Sequence, residues 1–82
     1  MARLIKADGK TIDNYECAGL EAKQKAVGGY IEPVYTSQWV ILVNEEGHLQ
    51  NLPLNIEVSA LCGRVLVGDA LVMTHQEWAS EN

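Results

Sequence analysis

Trp39-Val-Ile-Leu-Val43 is an unbroken apolar run, largely β-branched, with no polar residue in it. Successive side chains of a strand point to opposite faces, so a run apolar at every position describes a strand covered above and below. This stretch predicts the centre of a β-sheet, and the rest of the chain is read outward from it. Upstream, Tyr30 to Tyr35 reads as extended, but Pro33 lacks a backbone donor and confines that strand to an edge or a bulge. Downstream, Asn44-Glu-Glu-Gly47 supplies a turn, and His48 to Leu52 is expected to return as the next strand of a meander.

Farther out, Arg3 to Lys6 and Thr11 to Tyr15 flank Asp8-Gly9, a pair that tolerates positive φ and predicts a hairpin. Leu20 to Val27 is rich in helix formers and stops at Gly28-Gly29. Asn55 is a suitable N-cap for a short helix from Ile56 to Cys62, with Glu57 in its first turn and Gly63 ending it. A strand is expected near Ala70 to Met73. Thr74-His-Gln-Glu77 then has capping-box spacing, predicting a short C-terminal helix with Trp78 packed inward. The fold expected is α+β: a mostly antiparallel sheet of about five strands centred on Trp39 to Val43, with two short helices on one face, in one domain over residues 1–82.

The composition narrows the function classes. With 82 residues, 48% of them apolar, the chain can bury one core of modest stability, and without Phe that core is aliphatic. The net charge is −5, unevenly spread: residues 1–25 hold five basic and four acidic groups, whereas the remainder holds Arg64 alone against seven acidic ones. Such a surface repels phosphates, which excludes duplex nucleic acid bound in the usual electrostatic manner, and suits a basic partner. No run approaches the roughly 20 apolar residues of a membrane span, and the start lacks the apolar stretch of a secretory leader, so a cytoplasmic protein is expected. Cys17 and Cys62 stand far apart without a Cys or His at ligand spacing; they read as reduced thiols, with no metal and no cofactor implied.

Several residues invite a chemical reading beside a simpler one. Glu45, Glu46 and His48, next to Asn44, could hold a metal or do acid–base work, but a hairpin turn with solvated charge accounts for the same residues. Tyr30, Tyr35 and Trp39 could form a stacking platform or a protein anchor; core packing is the alternative in a chain without Phe. Arg64 could meet an anion or complement a helix end. The glycines at 28 and 29 follow a helix instead of preceding one, which makes them a cap and not a phosphate loop. His75, inside the capping box, reads as a solvated first-turn residue. None of the serines or thiols has an activating base nearby in sequence, so no catalytic residue is assigned.

Val27-Gly-Gly-Tyr-Ile-Glu32, Ile41-Leu-Val-Asn-Glu-Glu-Gly47, Leu52-Pro-Leu-Asn55, and Gly63-Arg with Val67-Gly-Asp-Ala-Leu-Val72 together resemble the domain-of-unknown-function family numbered 3846, over about residues 20 to 73. Pro33 departs from the aliphatic residue that pattern favours. The resemblance implies a small domain of the kind common in bacteriophages, mobile elements and their hosts, and carries no catalytic residue with it. The resulting expectation is a non-enzymatic accessory protein that binds a host factor, either a protein of a defence system or a nucleotide signal that it sequesters. A small enzyme with a site near Asn44 to His48, and a structural or assembly module, are the alternatives. A sheet edge opposite Pro33 leaves self-pairing into a homo-oligomer open.

Overall fold

The computed structural model describes residues 2–81, leaving Met1 and Asn82 outside. Eight elements follow in order: β1 (Ala2–Ile5), β2 (Thr11–Tyr15), α1 (Leu20–Val27), β3 (Ile31–Tyr35), β4 (Val40–Asn44), α2 (Ile56–Cys62), β5 (Ala70–Met73) and α3 (His75–Glu81). The fold is α+β, a five-stranded antiparallel sheet in the order β2-β1-β5-β4-β3.

Turn chemistry places the hairpins. Between β1 and β2, Gly9 adopts φ +96, and the Asp8 carboxylate accepts the Lys10 N–H at 2.9 Å. Between β3 and β4, the Thr36 hydroxyl accepts the N–H of Trp39 at 2.8 Å, and Ile31 to Tyr35 pair with Asn44 to Val40 without a break. Pro33 lies on the edge strand β3, as its missing donor requires. On the opposite edge, β2 carries Asn14 at φ +53, and the β1–β2 register shifts between Ala2 and Leu4, an irregularity that hinders further strand pairing.

Three expectations are corrected. Within the apolar run the strand starts at Val40, and Val40–Asn44 is buried at every position with Trp39 half-buried before it, but the middle of the sheet is β5, an equally apolar run that enters last and separates β1 from β4. No strand forms over His48–Leu52. With β3 on one side and β5 on the other, β4 has no free edge to receive it, and the segment closes on itself instead: Gln50 N–H to Glu46 O at 2.9 Å, Asn51 N–H to His48 O at 3.2 Å and Leu52 N–H to Gly47 O at 3.0 Å. The helices also divide between the faces. Ala26 of α1 and Trp78 of α3 pack with Leu4, Val40, Leu42, Leu71 and Met73; Val58 and Cys62 of α2 pack with Ile5, Ile41, Val43, Ala70 and Val72. Strands apolar on both faces need a cover on each.

Candidate functional site

The residues singled out in the sequence fall into three separate places. At the open end of the β3–β4 hairpin, Asn44 is buried and committed to its surroundings. Its Nδ2 donates to Val27 O and to Gln50 Oε1, both at 3.3 Å, and its Oδ1 accepts the Glu46 N–H at 2.8 Å. A Cβ at Gly29 would come within 2.9 Å of the same amide, so glycine is needed there for close approach. Glu45, Glu46 and His48 ride on the self-bonded segment that follows, all exposed, with Tyr30 beside them because the Glu45 N–H donates to Tyr30 O at 2.8 Å.

At the other end of that hairpin, Tyr35 and Trp39 do not form one aromatic surface. Tyr35 stacks on His75 of α3, ring centroids 6.2 Å apart, whereas the half-buried Trp39 packs with the α2-side cluster. His75 is more than a solvated first-turn residue: its Nε2 lies 2.7 Å from Thr36 O and ties α3 to the turn. Arg64 is exposed on the loop past Gly63, with its carbonyl 3.8 Å from the Cys62 sulfur.

Sequence reading missed a cleft of about 600 Å³ between α2 and the β1–β2 turn. One wall is the turn from Lys6 to Gly9, held by Ala7 N–H donating to the Asp69 carboxylate at 3.0 Å. The other is α2, which turns Val58 and Cys62 to the core and leaves Ile56 74% and Leu61 39% exposed beside Ala60. Asn55 fixes the floor. Its Nδ2 donates to Ile5 O and Gly68 O, both at 2.9 Å, so the helix start is bolted to β1 and to the entry of β5. The signal was present in the sequence, since Ile56, Ala60 and Leu61 make a second apolar stripe on a helix too short to bury both sides.

Chemically the cleft offers apolar area with a few charges at its rim: Lys6, Asp8 and Glu57. A smaller hollow of about 400 Å³ lies between the end of α1 and the segments Leu52–Pro53 and Gly68–Asp69. Neither hollow is lined by Glu45, Glu46 or His48. Among the described residues, no three His, Cys, Asp or Glu side chains come together as a metal-holding group, and no helix is long and apolar enough to cross a membrane.

Comparison with known proteins gives a family and nothing beyond it. The profile described as "Domain of unknown function (DUF3846)" matches residues 1–80, so the chain belongs to that family. No curated protein and no solved structure matches it.

Proposed function

We propose that this member of the DUF3846 family is a non-enzymatic binding protein that engages a host protein through the cleft beside α2, as an accessory protein of a phage or mobile element. The observation that carries the reading is the apolar outer face of α2. Ile56 and Leu61 stand in solvent beside a cleft large enough for a partner's side chains. Burying the 74% exposed Ile56 on binding is worth about 1–2 kcal/mol and the 39% exposed Leu61 about 1 kcal/mol or less.

The choice of a protein over a nucleotide signal rests on charge. A phosphate calls for a cluster of cations or amide donors, and this cleft sets Lys6 against Asp8 and Glu57. Binding is favoured over catalysis by the same geometry: the sequence's acid–base candidates line neither of the two hollows described, and Asn44 is held in structural hydrogen bonds. A defence component is the kind of host target such an accessory protein blocks.

Affinity capture from a bacterial lysate tests the reading when run with the parent chain and with Ile56→Asp/Leu61→Asp. The parent is expected to hold a defined protein, and the double variant to lose it by roughly 100-fold. Both substituted positions reach solvent, so the variant's thermal unfolding should stay close to the parent's. Equal capture by both chains, or a rise in melting temperature with cyclic or linear nucleotides instead of protein capture, overturns it.

A further inference from the structure

We propose that the hollow at the end of α1 is a binding site for a small zwitterion, an aliphatic α-amino acid whose ammonium meets Asp69 and whose carboxylate meets Lys25. The hollow measures about 400 Å³ and lies between the end of α1, Lys25 to Gly28, and the segments Leu52–Pro53 and Gly68–Asp69. That volume is near the lower end of the roughly 300–1,000 Å³ of ligand pockets, which fits an amino acid better than a nucleotide.

The walls are fixed by bonds of their own. Val27 O accepts from the buried Asn44 at 3.3 Å, and Gly28 turns the chain at φ +79 while its N–H closes on Gln24 O at 2.8 Å. Across the hollow, Gly68 donates its N–H to Pro53 O at 2.7 Å, and its carbonyl accepts from Asn55 at 2.9 Å. A Cβ on Gly68 would come within 2.8 Å of Leu52 Cδ1, so these two segments pack in direct contact. A frame held in this way loses little further freedom when it binds.

Two opposite charges sit on this frame without bridging. Lys25 is exposed and Asp69 half-buried; among the described residues the Lys25 ammonium has no partner, and the Asp69 carboxylate has one, the Ala7 N–H on Oδ1 at 3.0 Å. No buried side-chain oxygen of the described residues lacks a partner, so the second Asp69 oxygen is reached from solvent. The pair selects its ligand by elimination. An anion would meet the Asp69 carboxylate and a simple amine would meet Lys25, whereas a ligand with both charges satisfies each through a charge-assisted hydrogen bond of about 2.8 Å. The flexible stem of lysine lets its ammonium follow the ligand's carboxylate. Ala26, Leu52 and Pro53 supply apolar wall for an aliphatic side chain. Having no net charge, such a ligand is not repelled by a chain of net charge −5. The hollow shares no lining residue with the α2 cleft, so the site goes beyond the function proposed above and stands or falls separately.

Titration of the full chain with L-leucine, followed through its amide NMR signals, tests the site. Saturable shifts centred on Lys25 to Gly28, Gly68 and Asp69 are expected, with a dissociation constant on the order of a millimolar or below. Isopentylamine, which lacks the carboxylate, and isocaproate, which lacks the ammonium, should each bind about tenfold more weakly or worse. Lys25→Gln and Asp69→Asn should each weaken L-leucine by about the same factor. Asparagine keeps an acceptor for the Ala7 N–H, so the fold is retained, and unchanged β4 and β5 signals verify it. No saturable shift at the hollow with L-leucine overturns the proposal. So does equal binding of either singly charged analogue, or undiminished binding by either variant.

Discussion

Asn55 uses every polar atom of its buried side chain on backbone: two donations to carbonyls of β1 and Gly68, and a cap accepting the Val58 N–H at 3.3 Å. Removing it in Asn55→Ala takes a hydrogen bond from each of two carbonyls and leaves α2 uncapped, with an expected loss of about 3 kcal/mol in urea unfolding. Asn55→Asp separates the roles. Aspartate keeps the cap but offers no donor to Ile5 O or Gly68 O and buries a charge, so it should be no more stable than the alanine variant. An Asp variant as stable as the parent would contradict the assignment. The cap was legible in the sequence; the clamp was not, because Ile5 lies 50 positions away. Lys23 marks a similar limit. It is 1% exposed, its Nζ donating to Cys17 O at 2.8 Å, while Leu20 on the same helix is open to solvent. Residue hydrophobicity alone ranks those two the other way round.

Among the elements, α3 depends most on a local signal. Thr74 and Glu77 cap each other reciprocally, Thr74 N–H to Glu77 Oε1 at 2.8 Å and Glu77 N–H to Thr74 Oγ1 at 3.1 Å. Thr74→Ala is expected to cost about 1 kcal/mol. Amide exchange should speed up in α3 and stay unchanged in β4 and β5; uniform acceleration across the sheet would refute a local effect. Elements of this kind, set by caps, turn glycines and apolar runs, were readable in the sequence: the Asp8-Gly9 hairpin, α1 to Gly28, α2 from Asn55 and β5 at Ala70–Met73. Features set by distant partners were not. Whether His48–Leu52 pairs depends on a free edge of β4, and β5 removes that edge. Which face each helix covers depends on the strand order, which local propensity does not carry.

For the whole molecule, the division of helices between two faces determines where the proposed binding face lies. A single short helix covers the α2 side of the sheet, and its seven residues cannot turn every apolar side chain inward. Ile56 and Leu61 are left at the cleft, on a chain whose net charge of −5 favours a basic partner. The candidates read from the sequence gathered around polar and aromatic residues, since chemistry is easiest to see there; the cleft is a product of packing geometry and becomes visible once α2 is set against the Lys6–Gly9 turn. Hydrogen–deuterium exchange on the chain, with and without a host protein recovered in the capture experiment proposed above, tests this placement most directly. Slowed exchange across Ile56–Leu61 and the Lys6–Gly9 turn is the predicted result, and unchanged exchange there with protection confined to other parts of the chain would contradict it.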